Sequence, residues 1–246
     1  MTRGMRRLFP GSNKYVEMAA AYAVDQPRHL RANMVMSLDG AATVEGRSGG
    51  LSAPADRALF HTLRALADVV LVGAATVRIE GYGPAAPTDE DRALRRAAGR
   101  PEVPPIAVVT GQLDLDLTSR FFDQAEARPL LLTTERAPAE GRAAASALAD
   151  VLVLGRDRVD LRAAMDALAD RGLQHVLCEG GPTLLSQLVA AELLDEICLT
   201  FAPLLTGGGA RRIADKPLGG IGRCTLSQLC EDQNYLFARY RVGSQI

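Results

Sequence analysis

The chain has 246 residues and a mass of 26.2 kDa, with 48% hydrophobic and 23% charged residues. That composition buries enough apolar area to offset the entropy of ordering, which excludes a disordered chain. A net charge of −1, a pI near 6.3 and 4% aromatics with no Trp exclude nucleic acid or an anionic membrane surface as the main partner, because those need a basic or base-stacking face.

Before Arg31, the residues Leu8, Phe9, Val16 and Met18 supply enough apolar surface for a docking helix. The N-terminus is basic at first but has no apolar stretch of the secretory kind, and no run approaches the ~20 residues of a membrane span. A cytoplasmic protein is therefore expected. Cys178, Cys198, Cys224 and Cys230 are scattered without a C-x-x-C pair, which suits reduced core thiols rather than a disulfide framework.

Short apolar runs at residues 32–36, 69–72, 106–110, 130–133, 151–154, 175–178 and 197–201 read as strands covered on both faces, as in a mainly parallel sheet. Amphipathic stretches lie between them. Leu59, Leu63 and Leu66 repeat at helical spacing after Ser52 and Pro54. Residues 74–105 exceed an ordinary connection and contain a surface helix, with Thr88 as cap, Arg95 and Arg96 late and Gly99 as terminator. Leu161, Met165 and Leu168 follow a capping Asp160 and precede Gly172, and Pro182 suits the first turn of a further helix. The end reads as an antiparallel hairpin on one edge of the sheet, turning at Asp232-Gln233-Asn234. Alternating strands and helices without a linker indicate one layered α/β domain over residues 1–246.

Three constellations carry chemistry. In HVLCEGGPTLLSQL a strand ends in Gly180-Gly181 and a helix begins at Pro182. A helix start favours phosphate, and glycines let it approach the backbone; an ordinary tight turn fits the same residues. In VVLVGAATVR, Gly73, Ala74, Ala75 and Thr76 could support a ligand, with Arg78 nearby, or form a solvated loop. Two such turns at carboxyl ends of strands reinforce each other. In NMVMSLDG, Asp39 follows a strand, where a carboxylate could accept N–H bonds from an amino-pyrimidine or pterin; a plain Asp-Gly turn is the alternative. Asp56, in the first turn of the next helix, competes for that role. The run LTGGGARR offers Gly207, Gly208, Gly209 and Arg211 to an anion, or is a flexible loop. His29, His61 and His175 are isolated, so no metal is expected, and no G-x-S-x-G elbow supports hydrolysis.

Taken in order, NMVMSLDG, LSAPADRALFHTLRALADVVLVGAATV and HVLCEGGPTLLSQLVAAELLDEICLTFAPLLTGGGAR resemble the reductase domain of riboflavin biosynthesis. These are pyrimidine reductases of dihydrofolate-reductase-like fold: three α/β/α layers on a mostly parallel twisted sheet with a C-terminal antiparallel hairpin. The resemblance implies an NADPH-dependent reductase, usually a homodimer. It places the dinucleotide at Gly73, Ala74, Thr76 and Val77, at Thr110 and Gly111, and at Glu179, Gly180, Gly181, Pro182, Thr183 and Leu184. It points to Asp39, Asp56 and Glu80 as catalytic candidates, and to Asn33, Ser37, Ser52 and the Gly207–Gly209 run with Arg211 for substrate. His61 and Arg64 match an H-x-L-R-A signature.

Two departures stand out. Where many members carry an acidic pair before Pro, this chain has Arg78-Ile79-Glu80-Gly81-Tyr82-Gly83-Pro84, so Glu80 alone can substitute. The deaminase half that many members fuse to this domain has no counterpart in the sequence. The expected reaction is hydride transfer from NADPH to a pyrimidine ribosylamino phosphate, as in a 5-amino-6-(5-phosphoribosylamino)uracil reductase. A dihydrofolate or pterin reductase, or a nucleotide-binding homologue without turnover, are the alternatives.

Overall fold

The computed structural model describes residues 4–11 and 14–245. In chain order the first half contains β1 (Met5–Phe9), β2 (Tyr15–Val16), α1 (Met18–Tyr22), β3 (His29–Ser37), α2 (Pro54–Leu66), β4 (Val69–Gly73), α3 (Ala74–Glu80), α4 (Asp89–Ala97) and β5 (Ile106–Val109). The second half contains α5 (Arg120–Asp123), β6 (Leu130–Thr133), α6 (Ala139–Ser146), β7 (Asp150–Val153), α7 (Leu161–Ala169), β8 (His175–Cys178), α8 (Pro182–Ala190), β9 (Glu196–Ala202), β10 (Gly222–Asp232) and β11 (Tyr235–Gln245).

All strands form one sheet in the order β2-β1-β10-β11-β9-β3-β8-β4-β5-β6-β7. From β9 to β7 neighbouring strands are parallel, and from β9 outward through β11, β10, β1 and β2 they are antiparallel. The continuous apolar runs have the predicted cause. Along β4, Val69 and Leu71 pack under α7 and α8 with Leu161, Leu168, Leu185 and Leu188. Val70 and Val72 face the opposite layer with Phe121, Phe122 and Ala145. Strands buried on both faces gain nothing from a polar alternate position.

Local signals set the helix ends. Asp160 accepts the N–H groups of Arg162 and Ala163, and Thr88 forms a reciprocal capping box with Asp91. Gln233 and Asn234 turn the hairpin with φ of 49° and 69°, the mirror-image turn that suits strand twist.

Three expectations are corrected. The hairpin is not at the edge: β1 pairs antiparallel with β10 and β2 pairs with β1. The N-terminal segment docks chiefly as strands, with Met5 and Val16 in a core with Leu59, Leu63 and Phe237, because an open β10 edge offers unpaired backbone groups. Helix α4 is more than a surface helix. Arg95 is wholly buried, donating to the carbonyls of Arg64, Ala65 and Ala67 at the end of α2 and to Pro101.

Candidate active site

Strands β4 and β8 are neighbours, and the helices after them leave toward opposite faces of the sheet. Such a divergence opens a crevice at the carboxyl ends of the strands. The two small-residue segments meet there. The Gly73 N–H donates to the Gly180 carbonyl at 2.8 Å, and a Cβ on Gly181 would lie 2.6 Å from Thr76 Oγ1. Gly180 has φ +86°, a conformation that glycine adopts without strain.

A cleft of about 560 Å³ opens beside this junction, lined by Gly73, Ala75, Thr76, Ile79, Glu80 and the Gly181–Leu184 segment. Thr43, Glu45, Gly46, Gly209, Ala210 and Arg211 form its other wall. A second chamber of about 300 Å³ lies between β3 and α2, lined among others by Asn33, Ser48, Ser52, Asp56, Arg57, Phe60, Tyr82 and Glu179. Thr76 and Glu80 line both. Glu80 also ties the Ser48–Leu51 turn to α3, accepting the Ser48 N–H at 2.9 Å.

Each carboxylate of the smaller chamber has its own environment. Asp56 is buried in the first turn of α2 and accepts the Ser52 hydroxyl at 2.6 Å. Glu179 is clamped by Arg64 through two bonds, of 2.6 and 2.7 Å, and by the Tyr82 hydroxyl. Arg64 stacks 4.2 Å from the Phe60 ring centroid. Burial works against the Arg64 charge, but the Glu179 charge outweighs it and raises its pKa above the ordinary value. Burial, then the same carboxylate, pushes the Tyr82 phenol well up.

Several expected site residues sit elsewhere. Asp39 lines neither chamber. It accepts from Ser37 Oγ at 2.5 Å and from the N–H groups of Thr206 and Gly207, holding the loop after β9. The Ser37 hydroxyl and then those N–H groups keep its carboxyl well below the usual range. Buried Ser37 closes its own turn through the Ala41 N–H. Ala74 and Val77 face the core, because α3 starts at Ala74 and helical period turns Ala75, Thr76 and Ile79 to the cleft instead. Thr110 and Gly111 end β5 outside both chambers, Thr110 donating its N–H to Leu132 and Gly111 accepting from Thr134 Oγ1. Glu179 lines the smaller chamber rather than the larger. Of the glycine run only Gly209 lines a chamber, the larger one, together with Arg211, which pairs with Asp215 beside Thr183. Gly207 and Gly208 line neither.

The sequence reading missed Ile79, Arg57, Phe60 and Tyr82 as lining groups. Helical phase from Ala74 would have found the first. Tyr82 was hidden because Gly81, at φ +62°, ends α3 and folds the chain back.

A family model described as the RibD C-terminal domain matches residues 28–234. The chain belongs to that family. A relative named 2,5-diamino-6-ribosylamino-4(3H)-pyrimidinone 5′-phosphate reductase, from Archaeoglobus fulgidus, is 33% identical over 177 residues, 72% of this chain and 80% of the relative. A pyrimidine reductase-like protein from Corynebacterium diphtheriae superposes with TM-score 0.82 at 26% identity, covering 94% of this chain and 100% of that one. A Thermotoga maritima deaminase/5-amino-6-(5-phosphoribosylamino)uracil reductase shares the fold with TM-score 0.67 at 18% identity, covering 87% of this chain and 56% of that one. The resemblance carried by the three sequence segments thus holds: this is a RibD-type reductase domain on an α/β fold with a mostly parallel sheet.

Proposed function

We propose that this RibD-type domain reduces the ribosylamino group of a pyrimidine ribose phosphate to a ribitylamino group, using NADPH, in riboflavin biosynthesis. The observation that carries the reading is the wall of Thr76 and Glu80 shared by a long cleft and a compact polar chamber. A two-substrate transfer needs this arrangement, with both reactants held in contact and water kept out.

The long cleft fits a dinucleotide. Its floor is the Gly73–Gly180 hydrogen bond and the side-chain-free Gly181, with Thr76 and Thr183 hydroxyls, the first turn of α8 and Arg211 within reach of phosphate. Gly73, Thr76, Gly181, Pro182, Thr183 and Leu184 would hold NADPH, which supplies a hydride. The remaining work falls to the chain. Asp56 and Asn33 orient the heterocycle, and Arg57 offers a cation to the substrate phosphate. Glu179, fixed by Arg64 and Tyr82, shapes the chamber floor. The C1′–O4′ bond of the ribose opens to a C1′=N imine as O4′ takes the amine proton, and Glu80, on the shared wall, delivers a proton to that nitrogen as C1′ is reduced.

The test is oxidation of NADPH followed at the reduced-nicotinamide band with ribosylaminopyrimidine phosphate. Glu80→Gln is expected to lower kcat by about 100-fold while leaving the cofactor Kd within a few-fold. Failure of NADPH to bind, or turnover of dihydrofolate in place of the pyrimidine, removes the reading. The reading also includes a cytoplasmic homodimer. Exposed Leu38, Leu204 and Leu205 lie together, with the Leu38 N–H on the Leu204 carbonyl at 2.9 Å, a patch that a second copy would cover. A sedimentation mass near 26.2 kDa would remove that part.

A further inference from the structure

We propose that the cavity at the amino ends of β3 and β8 is a binding site for a phosphate-type oxyanion, held by Arg31 and His29. The site stands apart from the reductase reading. His29 and Arg31 begin β3 and His175 begins β8, whereas Asn33 and Glu179 of the smaller chamber lie toward the carboxyl ends of the same two strands.

Strand register builds the cavity. His29 is paired with His175 across the parallel β3–β8 ladder, and alternate residues of a strand share a face. His29, Arg31 and His175 therefore turn together toward α2. There Leu63, Leu66 and Ala67, at the end of α2, cover a cavity of about 110 Å³ that Arg100 also lines, and exposed Ala23 marks its rim. That volume exceeds the need of one water several times over.

Charge decides what the cavity takes. Arg31 and Arg239 share one carboxylate, Glu196, at 2.5 Å each, so this triad keeps one positive charge. Arg31 is only 5% exposed, and its Nη2 has no hydrogen-bond partner among the described residues. The His29 side chain, 10% exposed, likewise has no partner at Nε2, which lies 3.9 Å from Glu196. The other carboxylates nearby are engaged. Asp68 accepts from Arg100 and from the N–H groups of Gln174 and His175. Asp195, half exposed, accepts the Leu30 N–H and lies 3.9 Å from His29 Nδ1. His175 stiffens the wall, with Nε2 at 2.8 Å from the Gln26 carbonyl and Nδ1 at 3.2 Å from Arg100. A water could accept from Arg31 Nη2 but would leave the buried charge uncompensated. An oxyanion supplies both the acceptor and the charge, and a guanidinium fork suits phosphate geometry.

The chain has three histidines, and two of them line this cavity. Imidazole resonances of 15N-labelled protein therefore report on it, with His61, outside it, as the reference. The protein is titrated with inorganic phosphate or methyl phosphate, against chloride at matched ionic strength and fixed pH. Saturable shifts of His29 and His175 are expected with the phosphate probes, without a shift of His61. A tighter Kd for phosphate assigns the free ion, and a tighter one for methyl phosphate assigns a monoester. Arg31→Met removes the excess charge, and Ala23→Glu places a carboxylate at the exposed rim. Each should weaken binding at least tenfold, and Ala23→Glu decides the point if Arg31→Met does not fold. Shifts that do not saturate, that chloride reproduces or that His61 shares overturn the proposal, as does unchanged affinity in either folded variant.

Discussion

Gly181 has no room for a side chain, since its Cβ would sit 2.6 Å from Thr76 Oγ1. In Gly181→Ala the threonine must leave its position beside the cleft. The expected result is an NADPH Kd raised about tenfold, or about 1.4 kcal/mol, with a smaller change in unfolding free energy; fluorescence titration and urea melts separate the two. A second residue-scale prediction concerns Glu196, which is buried between Arg31 and Arg239 at 2.5 Å each. Burial alone would raise its pKa. The His29 imidazole and the two guanidinium groups outweigh burial and hold it at about 2. The folded value lies below the unfolded one, so this stabilisation is complete above about pH 5 and is lost as pH falls toward 2. The contribution is on the order of 3 kcal/mol. Glu196→Gln should be less stable at pH 7 and lose less stability between pH 5 and 2 in denaturant melts. Glu196 could be read from sequence only as the acid that opens a strand, because both of its arginine partners are remote in the chain.

Among the elements, α2 and α4 illustrate how a tertiary contact sets the worth of a local signal. The late arginines of α4 fit the helix dipole, yet the buried one serves another helix, donating to carbonyls left open at the end of α2. Burial lowers its pKa to about 10 and leaves it charged at neutral pH. Arg95→Met should cost about 2–4 kcal/mol in urea unfolding, because the buried carbonyls of Ala65 and Ala67 lose the guanidinium donor. Arg96→Met, at an exposed position that pairs with Glu102, should cost under about 1 kcal/mol. Helix α3 shows a related limit. Apolar character at Ala74, Val77 and Ile79 was visible, but which of them faces the cleft depended on the helix starting directly at Ala74. A phase error of one residue rotates a helix by 100° and exchanges its faces.

At the scale of the whole molecule, the N-terminal strands close one side of the sheet. Removing residues 1–24 would uncover β10 and the Met5, Val16 and Tyr22 side of the core. An exposed strand edge templates pairing with other chains. The truncated protein is expected to elute as aggregates or to melt well below the intact chain, as size-exclusion chromatography and thermal scans would show. A monodisperse truncation with unchanged melting would mean that the segment contributes little.

By itself the sequence determined what depends on short-range chemistry. It determined the apolar runs of strands buried on both faces, the Asp160 and Thr88 caps and the Asp232-Gln233-Asn234 turn, which sufficed for the α/β class, while the reductase family came from the resemblance of three ordered segments. Only the tertiary structure decided which of three candidate acids line the chambers. It engaged Asp39 in holding a loop, set Asp56 and Asn33 in one polar chamber and put Glu80 on the wall between two chambers. The physical reason is that hydrogen-bond occupancy and burial belong to side chains brought together from β3, α2, α3 and β8, and no local pattern records which partner reaches a carboxylate first.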